Sequence, residues 1–194
     1  CPSDLEEQVS KLSPRFIFFP HWSEIVPAKI FEKYDCVCFH MTDVPFGRGG
    51  SPLQNLIVRG HTRTVVSALK MNEGIDSGPV YLKCELDLTG SALDIFQRTA
   101  PVCFEMMHKI QMEEMTPVEQ EGEPTIYKRR TCAESRIPEV LSINKLYDFV
   151  RMLDAPNYPK AFFSYGDFQI EMFNARINND ETLSADVKVT KHEK

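Results

Sequence analysis

Apolar runs separated by polar connectors dominate the first half of the chain. The runs at residues 15–20, 36–41 and 64–71 are nearly continuous in apolar residues, which is typical of strands covered on both faces. A fourth run, at residues 80–86, alternates in part between apolar and polar positions. Residues 23–34, between the first two runs, have loosely helical spacing. Strands that alternate with helical segments predict an α/β fold with a mainly parallel sheet.

A long helix is predicted to follow the fourth run. Ser91 and Asp94 form a pattern that resembles a capping box, and apolar residues recur on one helix face as far as Ile110. Pro101 lies inside this pattern, so we expect it to kink or split the helix. Residues 116–126 are polar and contain two prolines and a glycine, which favours a linker.

The last third of the chain predicts a small subdomain. A helix is expected over residues 142–154, followed by a β-hairpin that turns at residues 165–167. The remaining tail is polar, and we expect it to be frayed except at residues 187–189. The sequence therefore predicts a core at residues 1–115, and a linker with a small C-terminal α+β subdomain at residues 116–194.

Charge and cysteine content narrow the range of partners. The chain has 22 Lys and Arg against 28 Asp and Glu, a formal net charge of −6. Because nucleic-acid binders normally present a basic face, this balance predicts no nucleic-acid partner.

The six cysteines contain no CxxC pair, so we expect mostly buried thiols in a reducing cytosol. No apolar run is long enough to predict a membrane span, no metal site is predicted, and a homodimer stays open.

The densest group of polar residues follows the run at residues 36–41. Strand periodicity places Cys38 and His40 on one face, and Asp43 and Arg48 lie in the loop that follows. The same loop has three glycines, which allow a backbone to approach a ligand closely: Gly47, Gly49 and Gly50. Ligands bind at the carboxyl ends of parallel strands, which makes this loop a candidate site. The alternative is a core histidine followed by an ordinary glycine-rich turn.

Asp76 follows the third run, next to Ile75. Its carboxylate is expected to face the same crevice and to hold His40 protonated by charge attraction. Asp is also common in ordinary turns, and this alternative stays open.

Two further segments carry candidate residues. His21 and Trp22 follow the first run and suit a flat heteroaromatic ring, although a partly buried tryptophan would give the same pattern. Arg129 and Arg130 belong to the basic cluster at residues 127–131 and are candidates for a diphosphate, unless they are only solvated.

Together these segments resemble the folate-dependent formyltransferases. That family has a strand ending in Asn-x-His, a loop with Pro and Arg-Gly, and a downstream turn similar to GxDTG. The corresponding segments here are CFHMTDVPFGRGGSP, at residues 38–52, and EGIDSGPV, at residues 73–80. In the second half, residues 127–137 and the YP-x-AF segment at residues 158–162 resemble the sugar N-formyltransferase branch. The similarity covers most of residues 14–177.

The resemblance implies a Rossmann-like core that transfers a formyl group from 10-formyltetrahydrofolate to a primary amine. The acceptor that we expect is a nucleotide-linked amino sugar. His40 and Asp76 match the catalytic histidine and aspartate, and Cys38 falls at the position of the catalytic asparagine. The residues expected to contact the folate are His21, Trp22, Asp43 and Ile75. The residues expected to contact the sugar nucleotide are Arg48, Gly49, Gly50, Arg129 and Arg130.

The chain departs from the family pattern in two places. A thiol at Cys38 is a poor hydrogen-bond donor, and loss of one oxyanion donor costs on the order of 10²–10³ in rate. The candidates to replace it are Thr42, Asp43 and His21. The family's opening βαβ unit is also missing from the 194 residues. Three alternatives therefore stay open: a non-catalytic relative, formylation of methionyl-tRNA, and hydrolysis of the formyl donor.

Overall fold

The computed structural model describes residues 5–178 and 182–191. The helices are α1 (Leu5–Leu12), α2 (Ala28–Phe31), α3 (Pro52–Val58), α4 (Ala92–Met112) and α5 (Ile143–Arg151). The strands are β1 (Phe16–Phe19), β2 (Asp35–His40), β3 (Arg48–Gly49), β4 (Arg63–Lys70), β5 (Val80–Asp87), β6 (Ile126–Tyr127), β7 (Ala161–Tyr165), β8 (Phe168–Ile177) and β9 (Leu183–Lys191). These bounds confirm the α/β class.

The four predicted apolar runs form one sheet in the order β1-β2-β4-β5. Its centre is apolar because the middle strands are covered on both faces, and Val37 of β2 and Val66, Ala68 and Leu69 of β4 are fully buried. Burial of these side chains is the main contribution to the stability of this part of the chain.

The sheet is mixed, although the apolar runs predicted a mainly parallel one. β1 and β2 are parallel, but β2 and β4 are antiparallel, with His40 opposite Ser67 and Val37 opposite Lys70. A continuous apolar run indicates that a strand is covered on both faces, but it does not fix the direction in which the strand runs. The connection at residues 41–62 returns the chain to the sheet at the end where β2 stops.

The long helix begins as predicted. Ser91 lies just before α4, where its hydroxyl accepts from the Asp94 amide at 3.2 Å and the Asp94 carboxylate accepts from the Ser91 amide at 2.8 Å. The helix then continues through Pro101 to Met112 without a break, so the expectation of a split is wrong. A proline removes one intrahelical hydrogen bond, and the remaining bonds hold the helix together.

The chain divides into two compact units. The first comprises Cys1–Pro52, Thr64–Leu86 and Arg98–Tyr127, and the second comprises Leu53–Arg63, Asp87–Gln97 and Lys128–Lys194. Most of the segment that favoured a linker, residues 116–126, is irregular, but it groups with the first unit and ends in β6, which pairs with β3.

The second unit contains the predicted helix and hairpin. Ser142 caps α5, and β7 and β8 pair antiparallel around the turn at Gly166, which has a φ of +57°. The tail was expected to be frayed except at residues 187–189, but β9 pairs along β8, so the expectation of fraying is wrong for residues 183–186 and 190–191. Backbone hydrogen bonds form a strand here although the side chains are polar. The other expected tail residues, 179–181 and 192–194, lie outside the described residues.

Among the described residues, no helix has the length and apolar character needed to cross a membrane.

Candidate active site

His40 is the last residue of β2 and is only 6% exposed. Its Nε2 lies 2.8 Å from the carbonyl oxygen of Gly47, and its Nδ1 lies 3.4 Å from Oδ2 of Asp76. Both neighbours are acceptors. Because a carbonyl oxygen only accepts, Nε2 carries the N–H that donates to Gly47 O.

Asp76 reaches His40 by an unexpected path. Because β4 runs antiparallel to β2, it ends beside the start of β2, where the Met71 amide donates to Cys36 O at 2.8 Å. The loop at residues 71–79 must then fold back along the sheet to bring Asp76 to the other end of β2. The expected contact between His40 and Asp76 is present, but the parallel-strand geometry from which it was expected is not.

The Asp76 carboxylate also binds the glycine-rich loop. Its Oδ2 accepts from the Gly49 amide at 2.9 Å, and the side chain is 18% exposed. Gly49 has a φ of +102°, and β3 places it beside Tyr127 of β6. One carboxylate oxygen therefore lies near both the imidazole ring and a backbone amide.

Buried polar groups hold the loop between His40 and Gly49. Thr42 is fully buried; its hydroxyl donates to Gly47 O at 3.3 Å, and its carbonyl accepts from Ser67 Oγ at 2.7 Å. The Gly47 amide donates to Thr125 Oγ1 at 2.7 Å. The Thr42 hydroxyl already donates to a carbonyl of the loop, which makes Thr42 a weaker candidate to replace the missing oxyanion donor.

Gln120 belongs to the site although the sequence interpretation did not select it. Its amide nitrogen donates to Asp76 O at 2.9 Å and to Gly78 O at 2.7 Å. Its amide oxygen accepts from Nε and Nη2 of Arg48, at 3.0 and 2.8 Å. These partners lie more than 40 residues away in sequence, so no local pattern distinguishes Gln120 from the glutamates beside it.

Cys38 lies two residues before His40 on the same strand, half-buried and paired with Phe19 and Leu69. Burial and, to a smaller extent, the nearby Asp76 carboxylate together raise the pKa of its thiol to about 12. The thiol is therefore neutral near pH 7 and acts at most as a weak donor.

The residues expected to bind folate differ in their surroundings. Trp22 is 38% exposed and makes an edge contact with Phe19, with ring centroids 5.4 Å apart. His21 is exposed and has a φ of +51°, and Ile75 is 70% exposed. Asp43 is exposed and forms an ion pair with Lys83 at 2.5 Å. The side chains of Trp22, His21 and Ile75 are accessible to solvent, whereas the Asp43 carboxylate is neutralised by Lys83.

The residues expected to bind a diphosphate are already bonded within the protein. The Arg48 guanidinium binds Gln120, the Gly49 amide donates to Asp76, and the Gly50 amide donates to Tyr127 O at 3.0 Å. The Gly50 amide is thus used in the pairing of β3 with β6, and the Gly49 amide is used in the bond to Asp76.

The two arginines of the basic cluster lie in the second unit. Arg129 is exposed. Arg130 is half-buried, with its guanidinium 5.8 Å from the Phe149 ring centroid and Nη2 donating to Glu134 O at 2.5 Å. Burial lowers the pKa of Arg130, Glu134 opposes this, and the nearby Arg59 lowers that pKa further.

No group of three or more His, Cys, Asp or Glu within the described part of the chain is arranged to hold a metal ion.

Comparisons with known proteins identify the relatives of this chain. The family described as "Methionyl-tRNA formyltransferase, C-terminal domain" matches residues 132–190. A methionyl-tRNA formyltransferase from Clostridium perfringens is 28% identical over 185 residues, which are 91% of this chain and 59% of the relative. The chain therefore spans about three fifths of the length of such relatives.

Solved structures give the same result. A methionyl-tRNA formyltransferase from Clostridium thermocellum is 44% identical and superimposes with a TM-score of 0.96 over 99% of this chain and 85% of that one. HypX from Aquifex aeolicus in complex with tetrahydrofolic acid, at 18% identity, has a TM-score of 0.72 over 87% of this chain and 30% of that one, which shows a shared fold. A sugar N-formyltransferase from Shewanella, at 14% identity, has a TM-score of 0.66 over 98% of this chain and 76% of that one, and it shares the fold.

These findings correct the expected acceptor and partner. The choice of a nucleotide-linked amino sugar with no nucleic acid is wrong, because the relatives at 28% and 44% identity are methionyl-tRNA formyltransferases. Net charge misled the interpretation because it sums over the whole chain. Lys and Arg counted against Asp and Glu give the first unit a charge of −7 and the second a charge of +1, which together make the −6. The acidic excess is therefore confined to one unit.

Proposed function

The chain belongs to the formyltransferase family, and on this premise we propose that it transfers a formyl group from 10-formyltetrahydrofolate to the amino group of methionyl-tRNA. Enzymes of this family use that folate as formyl donor. The activity of this chain is a proposal because the chain spans only 59% of the length of a curated relative such as the Clostridium perfringens enzyme.

The observation that carries the proposal is the contact between His40 and Asp76. The His40 imidazole is buried between two fixed acceptors, with the Asp76 carboxylate 3.4 Å from Nδ1 and the Gly47 carbonyl 2.8 Å from Nε2, so its ring N–H is held in a defined direction. Such a ring stabilises negative charge that develops on a neighbouring oxygen. The same carboxylate is fixed by the Gly49 amide at 2.9 Å, so its position does not depend on His40 alone.

The proposed reaction is acyl transfer. The methionyl nitrogen attacks the formyl carbon, a C–N bond forms, and the carbonyl electron pair moves to the oxygen. The His40 ring donates to that oxygen, while Asp76 accepts the proton that the amine loses. When the carbonyl re-forms, the bond from the formyl carbon to the folate nitrogen breaks, and this nitrogen takes the proton. Nε2 donates to Gly47 O in the present structure, so the substrate oxygen must take the place of that carbonyl.

The residues proposed for the folate are Trp22, His21 and Ile75. An exposed indole and an exposed aliphatic side chain suit a flat, weakly polar ring system, and the imidazole of His21 adds a polar edge. Asp43 is a weaker candidate because Lys83 already neutralises its charge.

The phosphates of the tRNA are proposed to meet a basic cluster in the second unit, defined by Arg59, Lys128, Arg129 and Arg130. Asn55 connects two members of this cluster. Its side-chain amide donates to Lys128 O at 3.2 Å, and Nη1 of Arg59 donates to the backbone and side-chain oxygens of Asn55, each at 2.8 Å. Arg59 also lies close enough to Arg130 to lower the pKa of that guanidinium. Like charges held together in this way attract a polyanion.

The reducing cytosol remains the proposed location, because all five cysteines within the described residues are free thiols.

The experiment that tests this function supplies the intact chain with 10-formyltetrahydrofolate and methionyl-tRNA. Release and mass analysis of the amino acid distinguish formylmethionine from methionine. We expect formylmethionine to accumulate with time and enzyme concentration. If methionine is recovered unchanged while a bacterial methionyl-tRNA formyltransferase formylates the same tRNA, the proposed function is wrong.

A further inference from the structure

The side chain of Gln120 joins the two loops that meet at the Asp76–Gly49 hydrogen bond. On one side its Nε2 donates to the carbonyl oxygens of Asp76 and Gly78, at 2.9 and 2.7 Å. On the other side its Oε1 accepts two hydrogen bonds from the Arg48 guanidinium, at 3.0 and 2.8 Å. Arg48 directly precedes Gly49. The amide therefore connects the backbone that carries the aspartate to the side chain next to its partner glycine.

All the hydrogen-bonding capacity of this amide is in use. A glutamine side chain has two N–H donors and one oxygen that accepts two bonds, and each of the four has a partner here. Two carbonyl oxygens require donors and a guanidinium requires an acceptor. Among the side chains, only an amide has two N–H donors and a carbonyl oxygen in one planar group, so the partners account for the presence of a glutamine.

The two carbonyl bonds act on the backbone that aims Asp76. Asp76 has a φ of +49°, in the left-handed region that non-glycine residues adopt only at some cost. Hydrogen bonds to the carbonyls at positions 76 and 78 hold this turn. With the turn fixed, the carboxylate reaches both the Gly49 amide and the His40 ring.

We propose that Gln120 is a positioning residue that holds Asp76 against His40 and Gly49. It acts through Asp76, because its four bonds go to Asp76, Gly78 and Arg48 and none goes to the imidazole. The inference rests on the proposed formyl transfer for its catalytic consequence, but the placement of the carboxylate is measurable without any substrate.

The first test measures hydrogen exchange of the Gly49 amide in the intact chain by NMR. Loss of a hydrogen bond to a charged group is expected to speed exchange by about tenfold. We expect this acceleration in Asp76→Ala and in both Gln120→Met and Gln120→Glu. The glutamate variant can still accept from Arg48 but has no donors for the two carbonyls. Glu121→Gln, at an exposed neighbour, serves as the control and should leave the Gly49 amide unchanged.

The second test is a double-mutant cycle on the rate of formyl transfer. Gln120→Met should lower kcat about tenfold in the wild-type background but less than about twofold in the Asp76→Ala background, because the residue it positions is then gone. Equal losses in both backgrounds, or an unchanged Gly49 amide in both Gln120 variants, would overturn the proposal. If the wild-type chain forms no formylmethionyl-tRNA, the proposed function fails, while the exchange result still decides the role of Gln120 in the structure.

Discussion

A Cβ atom at Gly49 would lie 2.4 Å from the carbonyl oxygen of Tyr127. The close approach follows from the pairing of β3 with β6, in which the two residues are direct partners. Gly49 also has a φ of +102°, which L-residues rarely adopt. The residue whose amide holds Asp76 is therefore a glycine for two separate steric reasons.

Replacement of Gly49 by alanine should destabilise the protein by about 3 kcal/mol, since left-handed strain adds to the contact with the Tyr127 carbonyl. Gly60→Ala is the matched control: Gly60 has a φ of +84°, but nothing lies within 4 Å of its added Cβ. We expect that variant to lose only about 1–2 kcal/mol. Urea unfolding of both variants measures the difference, and equal losses would show that the Tyr127 carbonyl moves aside.

The chemistry of the site could be anticipated from the sequence better than its topology. Cys38 and His40 lie on one strand and the glycine-rich loop follows it, so local periodicity is enough to group them. The direction of β4 depends instead on the path of the connection at residues 41–62, and apolar runs do not encode this path. The contact between Asp76 and His40 was therefore expected for a geometric reason that does not hold.

Residues joined only by long-range hydrogen bonds were not predictable. Gln120 lies in a polar segment with the composition of a linker, and its partners at Arg48, Asp76 and Gly78 leave no trace in the neighbouring residues. The strand in the polar tail was not predictable for the same reason. β9 forms because its backbone hydrogen-bonds to the backbone of β8, and a polar sequence does not show that such a partner strand is present.

Replacement of Cys38 by asparagine should increase the rate of formyl transfer. An asparagine amide donates a strong hydrogen bond where the neutral thiol donates a weak one, and one oxyanion donor is worth on the order of 10² in kcat. Single-turnover assays with saturating folate measure the effect. Cys38→Ala, which has no donor, is the control and should not exceed the wild-type rate. If the asparagine variant is no faster, a different group already supplies the missing donor.

The thiols should react with alkylating reagents in an order set by burial. Cys132 is exposed, whereas burial raises the pKa of Cys38 to about 12. At pH 8 the Cys38 thiolate is then about 10⁻⁴ of the total, and it increases as the pH rises toward 12. Peptide mapping after brief iodoacetamide treatment should find Cys132 modified and Cys38 intact, with Cys38 labelling increasing at pH 10. Modification of Cys38 first at pH 8 would contradict this.

Binding of tRNA should depend on salt through the basic cluster at Arg59, Lys128, Arg129 and Arg130. Lys128→Ala removes one phosphate contact and should reduce the slope of log K against log salt by about 0.7–0.9. Lys145→Ala, an exposed lysine on α5, removes the same charge and should leave the slope nearly unchanged. Fluorescence anisotropy with labelled tRNA measures the slopes of both variants between about 50 and 200 mM salt, where phosphate contacts change the affinity strongly. Identical slopes for the two variants would remove the cluster from the tRNA interface.

The most direct measurement of the central claim is the single-turnover rate of formyl transfer from 10-formyltetrahydrofolate to methionyl-tRNA in the wild type, His40→Ala and Asp76→Asn. The wild type should form formylmethionyl-tRNA. Each variant should lose about 10²–10³ in rate while it keeps its far-UV circular dichroism and its affinity for tRNA, because both groups act on charge that develops in the transition state. Variants that formylate methionyl-tRNA at the wild-type rate would contradict the assignment of His40 and Asp76 as the catalytic pair.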